Sequence, residues 1–475
     1  MAHPPYGGTA HQAAAPVHPG PEHMLEPVPA YAPAQRGPAG GGGALAGVRR
    51  RMSGAATTEP GRLRITGALL AVLLVVFGAT AAVAVSERAA AADDVVGRSQ
   101  PLSRDAASVY RSLADANTTA STGFLAGAEE SPAVRERYAQ DISRASRLLV
   151  TAATHTDASS ESGRQIAHLN EYLPRYTGLI ESARANNRLG RPLGGAYLRY
   201  ADALMTEDLL PAARRLHLAE SARLEADHEA ARSWPLVAPA AGVVALAVLG
   251  WAQRRNYRLT NRVFNRGLLG ATVAAALVLL WVVGAQALAS SRLHDADVHA
   301  QRSLDVLNDA RIDALRARAN ENLTLVARGA VLTDDGKDDK YAAEYAQTMD
   351  TLGAALERAL HHADDEEGRR PVDTAVRAMG EWRTRHDGAA GADREGDYEG
   401  AVRKVIGREG STNECFDTVD AALAEALAHE QREFTAAAVA GRSALDGLAA
   451  GAALLTLAGA VAAILGVNRR LAEYR

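Results

Sequence analysis

Hydrophobic and polar positions divide the chain into two alternating textures. Four stretches, about 65–85, 236–252, 267–289 and 445–467, are nearly unbroken runs of Ala, Leu, Val and Gly. Each approaches the roughly 20 residues that a helix needs to cross a hydrocarbon core. No Asp, Glu, Lys or Arg falls inside the first three, and Asp446 stands only at the edge of the fourth. Between the runs the texture becomes amphipathic. Leu198, Ala201, Met205, Leu209, Ala212, Leu216 and Ala219 recur at helical spacing, as do Ile312, Leu315, Ala319, Leu323, Val326 and Ala330.

Breakers cut each intervening segment into four helical pieces. In 86–233 they fall at Ser131-Pro132, at Asp157 to Gly163 and at Leu189 to Gly195. In 290–443 they fall at Thr333 to Asp339, Asp364 to Arg370 and Ala392 to Asp397. Long helices joined by short loops imply antiparallel bundles. No strong breaker separates the third run from the stripe after it, nor the last piece from the fourth run, so both helices are expected to continue from membrane to bundle. The two segments also align: Ala116-Asn117 with Ala319-Asn320, Tyr138-Ala139-Gln140 with Tyr345-Ala346-Gln347, and Arg188 and Gly190 with Arg394 and Gly396. The predicted fold is all-α, a membrane protein with four transmembrane helices and two extracytoplasmic four-helix bundles related by tandem duplication.

The domain boundaries follow: a Pro/Gly/His-rich tail over 1–60, spans at 65–85, 236–252, 267–289 and 445–467, bundles at 86–233 and 290–443, an Arg-rich loop at 253–266 and a short tail at 468–475. The N-terminal tail, containing Gly37-Pro38-Ala39-Gly40-Gly41-Gly42-Gly43, has too little large apolar surface to offset ordering. Its His3, His11, His18 and His23 read as solvated. The first run begins too far along the chain for an ordinary cleaved leader and is expected to be an anchor.

Charge then orients the spans. Arg49, Arg50, Arg51, Arg62 and Arg64 precede the first run, Arg254, Arg255, Arg258, Arg262 and Arg266 join the second to the third, and Arg469, Arg470 and Arg475 follow the fourth. With four crossings all three groups share a side, which the positive-inside rule assigns to the cytoplasm. Trp234 and Trp251 flank the second run as interfacial anchors. The protein is thus expected in the plasma membrane with both termini inside. A net charge of −4 argues against a nucleic-acid partner, and the single Cys415 excludes an intramolecular disulfide.

Catalytic constellations are not found, so no enzyme activity, cofactor or metal is expected. His361-His362 with Asp364, Asp365, Glu366 and Glu367 looks like a metal cluster but reads as a solvated acidic turn. Cys415 reads as a helix-face residue, and Asn117-Thr118-Thr119 and Asn322-Leu323-Thr324 are glycosylation sequons given little weight. Gly447 and Gly451 have the spacing that lets helices approach closely. The absence of charges within the runs counts against a transporter. The turn between the third and fourth helices of each bundle gathers Tyr176, Asn186, Asn187, Arg188 and Arg191 in the first, and Trp382, His386, Arg394 and Tyr398 in the second. These turns are expected near the membrane-proximal ends, as structural turns or as partner sites.

The stretch Tyr176 to Gly190, continued by Gly195-Ala196-Tyr197-Leu198, resembles the GlnX-like membrane proteins of actinobacteria. The four-span layout and Asn261-Arg262-Val263-Phe264-Asn265 after the Arg-rich loop are similar too. The resemblance implies an accessory in amino-acid sensing, coupling an extracytoplasmic glutamate- or glutamine-binding lipoprotein to a cytoplasmic Ser/Thr kinase, protein kinase G. It assigns no functional residue. From the residues alone the reading is a sensor that passes an outside signal along helices, with an envelope scaffold as the rival and a transporter third.

Overall fold

A computed structural model describes residues 59–232, 236–260, 265–295, 301–444 and 446–471. The N-terminal tail, Trp234, residues 261–264 with Arg262, and Arg475 lie outside the described residues. Among the described residues the fold is all-α, with one isolated bridge between Leu332 and Asp339. Helix α1 (Glu59–Asp94) passes through a π turn (Val95–Ser99) into α2 (Gln100–Ala126). Then follow α3 (Pro132–His155), α4 (Glu161–Arg188), α5 (Leu193–Leu204), a second π turn (Met205–Leu209) and α6 (Leu210–Arg232). Next come α7 (Val237–Thr260), α8 (Arg266–Asp295), α9 (Arg302–Ala327), α10 (Lys340–His362) and α11 (Glu366–Arg394). The chain finishes with α12 (Tyr398–Ile406), α13 (Thr412–Ser443) and α14 (Leu448–Leu471).

Four helices are long and apolar enough to cross a membrane: the start of α1, then α7, α8 and α14. They bury Leu74, Phe77, Leu249, Ala271, Val278 and Ala452 among themselves and leave Leu69, Val72, Leu280 and Leu454 exposed on the outer surface. Lipid is the natural solvent for such a surface. Small residues bring α8 and α14 together: a Cβ added to Gly267 would stand 2.4 Å from the Ala462 carbonyl and from Gly466 Cα. Gly451 leaves room for the Trp281 ring, but its sequence neighbour in the expected pair, Gly447, faces no helix. Gly447 instead takes φ +73° and interrupts the run from α13 to α14. That corrects the expected continuity, because a left-handed residue cannot extend a right-handed helix. The junction at 296–300, between α8 and α9, lies outside the described residues.

The uninterrupted rod is at the other end of the chain. Residues 61–126 form one helix of 66 residues, carrying the first span into the first bundle. Several of the remaining helices start where capping side chains stand. Ser131, ahead of Pro132, accepts from Val134 N at 3.3 Å; Ser160 accepts from Gly163 N at 3.0 Å, and Asp339 from Ala342 N at 2.9 Å. Each such cap contributes about 1 kcal/mol. The first half is a four-helix layout of α2, α3, α4 and α5–α6, repeated by α9, α10, α11 and α12–α13. The fourth helix is disturbed at matching places, by the π turn at Met205–Leu209 and by the break at Gly407–Ser411. The two halves do not keep separate cores. Leu113, Leu149, Tyr176 and Leu209 belong to the same buried apolar cluster as Leu315, Leu352, Trp382 and Val419.

The turns joining third to fourth helices lie at the far end from the spans, not the near end as expected. Asn187 Nδ2 donates to the Phe124 carbonyl at 2.8 Å, close to the tip of the long rod. Phe124 lies nearly forty residues beyond the first apolar run, or about 60 Å at 1.5 Å per residue. The physical reason is parity: a helix pair returns the chain to the membrane, so the end of a third helix is remote from it. The Arg98 guanidinium reaches the His155 carbonyl at 3.2 Å, which places the second-to-third turn near the membrane.

Candidate functional site at the seam between the halves

Helices α2 and α9 lie side by side along the middle of the molecule, so both have neighbours in two halves. A helix so enclosed buries polar as well as apolar residues, and each buried polar group needs a partner. On α2, Asn117 accepts from Tyr176 Oη at 3.3 Å and donates through Nδ2 to Asp202 at 2.8 Å. On α9, Glu321 takes the same central place. It accepts from Trp382 Nε1 at 3.2 Å, Thr412 Oγ1 at 2.9 Å and Arg318 Nη1 at 2.6 Å, and its other oxygen lies 2.9 Å from His386 Nδ1. Arg318 is completely enclosed and also donates to the Val405 carbonyl and to Asn413. By contacts, then, the counterpart of Asn117 is Glu321, one residue beyond the Ala319-Asn320 match. Asn320 faces the seam instead.

The two networks differ in charge, and burial acts on them differently. Burial opposes ionisation of Glu321, but the His386 hydrogen bond and the Arg318 charge outweigh it and hold its carboxyl below the usual range. Asp202 has no such cation in contact, and burial pushes it up to about 6 against the Asn117 hydrogen bond. The Tyr176 hydroxyl is driven well above its ordinary value, first by burial and then by Tyr138 and Asp202.

Cross-seam hydrogen bonds tie the halves together. Thr118 Oγ1 donates to the Leu315 carbonyl at 2.8 Å, and Asn322 Nδ2 donates to Ser121 Oγ at 3.0 Å and Thr122 Oγ1 at 2.9 Å. Both sequon asparagines are therefore enclosed and bonded, leaving no room for a glycan. Asp420 on α13 receives Arg311 at 2.6 Å and Arg137 of the other half at 3.3 Å. Arg111 bonds to Asn308 across the seam.

Two cavities of about 260 Å³ open on this seam. One, toward the spans, is lined by Arg104, Arg111, His217, Asp305, Asn308 and Arg311. Burial, with Arg311 and Arg144 nearby, brings Arg111 down to about 10. Burial and the Arg111 charge bring His217 down to about 4. His217 is therefore neutral near pH 7, and its 3.7 Å approach to Asp305 is a polar contact rather than an ion pair. The other cavity is lined by Asn117, Asp202, Arg316, Asn320, Lys340 and Glu344 and offers both signs of charge.

The residues singled out in the sequence are distributed as follows. Tyr176 and Trp382 are fully buried members of the two networks, and His386 is a half-buried one. Asn186 and Asn187 build the distal turn, their carbonyls accepting from Leu189, Gly190 and Arg191. Arg188 and Arg394 are exposed at the same distal end, where the Arg328 guanidinium covers the Tyr398 ring at 3.6 Å. Arg254, Arg255 and Arg258 are exposed along the last turns of α7, Arg255 lying over Trp251, and Arg266 is exposed at the start of α8. Cys415 is buried, which pushes its thiol up. Sequence reasoning missed Asp202, Glu321 and Arg318. The one available signal was charge at positions inside apolar stripes.

Residues 91–229 match the family model of the actinobacterial sensor domain. The matched stretch covers the first half of the seam, from the π turn of the rod to the end of α6. No curated protein and no solved structure matches the chain. The match supports a sensor role for this four-span, all-helical membrane protein.

Proposed function

We propose that the protein is a non-enzymatic transmembrane sensor that carries the state of an extracytoplasmic amino-acid signal to a cytoplasmic Ser/Thr kinase. In this reading the two bundles are outside, and the signal arrives on a solute-binding lipoprotein that docks at the distal turns carrying Arg188 and Arg394. The Arg254–Arg266 loop and the termini face the kinase. Support comes from the resemblance to GlnX-like proteins, from the sensor-domain match over 91–229 and from the arginines gathered at one edge of the spans.

The observation that carries the proposal is the 66-residue helix from first span to distal tip, wedged against α9 by Thr118–Leu315 and Asn322–Ser121. A rod held this way cannot rotate or slide at the tip without moving at the membrane. A docking partner shifts the balance only if it binds one packing of the seam better than another. The test is kinase-substrate phosphorylation after external glutamate or glutamine, in cells with and without this protein. Loss of the response without the protein is expected. An unchanged response would leave an envelope scaffold as the better reading.

A further inference from the structure

The near-membrane end of the second half holds a side-chain cluster that the sensor reading does not use. Asp365 caps α11, its Oδ1 accepting from Gly368 N at 2.6 Å. Opposite, α13 presents His429 and, one turn later, Glu433. His429 Nε2 lies 3.2 Å from Asp365 Oδ1 and 3.6 Å from Glu433 Oε1. His429 is only 8 % exposed, and its buried Nε2 makes no hydrogen bond. A cost attaches to burying a polar nitrogen in that way, so the atom calls for a partner.

We propose that Asp365, His429 and Glu433 bind a divalent transition-metal cation of the Zn²⁺ or Mn²⁺ class. One imidazole nitrogen with two carboxylates is a donor set suited to such ions. The ligand atoms lie within 4.8 Å of one another. Metal–ligand bonds of about 2.1 Å set tetrahedral edges of about 3.4 Å, which the two His429 separations already match. The second ring nitrogen, Nδ1, lies 3.7 Å from Glu367 Oε2. At that distance Nδ1 is not hydrogen-bonded, but the carboxylate stands on the side of the ring from which it would accept an Nδ1 proton after a small shift. The cap bond from Gly368 holds the Asp365 carboxylate, which keeps further lone pairs free.

A Cβ on Gly368 would come 3.4 Å from the His429 ring and 3.6 Å from Glu430, so the site is closed on that side. A bound cation would fasten the start of α11 to α13, the helix that leads back toward the last span. This inference does not depend on the sensor reading.

The experiment is Zn²⁺ and Mn²⁺ titration of the full-length protein in detergent, by calorimetry and by bound-metal analysis after desalting. Wild type is compared with His429→Gln and with Glu433→Gln, the latter a half-exposed side chain whose loss leaves the helix intact. A His361→Gln/His362→Gln variant and the histidine-bearing tail, present throughout, control for other histidines. The expected result is one equivalent lost, or affinity reduced tenfold or more, in both site variants and not in the control. Equal binding by wild type and both site variants would overturn the proposal.

Discussion

Thr118 on α2 donates a hydroxyl hydrogen bond to the main-chain carbonyl of Leu315 on α9, 2.8 Å away, while also lying 3.0 Å from the Ala114 carbonyl of its own helix. Two helices from different halves of the chain are thereby fixed in register where neither touches solvent. Thr118→Val keeps the shape and removes the bond. It should lower stability by about 1 kcal/mol, the usual net worth of one such bond, read as a drop in unfolding temperature in detergent.

Glu321 is the heaviest node of the second network. Glu321→Gln removes the charge facing the enclosed Arg318 and should cost about 3–5 kcal/mol, because an uncompensated buried charge remains. The sign of its pH dependence follows from its lowered carboxyl: the contribution is complete above the unfolded value near 4.5 and disappears as pH falls through the folded one. Acid unfolding monitored by helical circular dichroism should therefore begin at higher pH in variants that lose His386 than in wild type.

Asp202 works in the opposite sense. Its folded value of about 6 lies above the ordinary 3.8, so the native state binds more protons across that window and stability falls as pH rises through it. Asp202→Asn can still accept the Asn117 hydrogen bond. It should flatten the pH dependence and raise stability at pH 7 by up to about 3 kcal/mol, measured as unfolding temperature from pH 4 to 7.5.

In the spanning layer, Gly267→Ala would set a methyl against the Ala462 carbonyl and Gly466. Separation of α8 from α14 should follow, with a loss of about 1–3 kcal/mol typical of overpacking, while the neighbouring Gly270→Ala, which meets only Ala462 Cβ at 3.8 Å, should be tolerated. Comparative thermal melts of the two variants decide it.

The spans were legible because hydrocarbon imposes a composition that nothing else in the chain shares. The amphipathic stripe on the fourth helix of the first half was legible: Leu198, Ala201, Met205, Leu209, Ala212 and Leu216 are all buried. The seam was not legible. Thr118, Ser121 and Asn322 look like surface residues or parts of sequons until two helices some two hundred residues apart meet and satisfy one another. Long-range polar pairing leaves no periodic trace, and for the same reason the sequence placed Tyr176 and Trp382 at a turn rather than under it. The acidic turn at Asp364–Glu367 is exposed, as read, but the approach of His429 to Asp365 comes from a distant helix and left no local trace. The break at Gly447 was passed over because apolar residues resume straight after it.

The central claim is that the continuous rod transmits, so the most direct measurement interrupts it. A four-glycine insertion after Gly97, whose surroundings are open, separates span from bundle within the π turn. Kinase-substrate phosphorylation in response to external glutamate or glutamine is then compared between cells carrying the insertion and cells carrying wild type, at equal membrane levels and with the seam verified by thermal unfolding. Abolition of the response with the seam intact is the predicted result. A response equal to wild type would contradict the account.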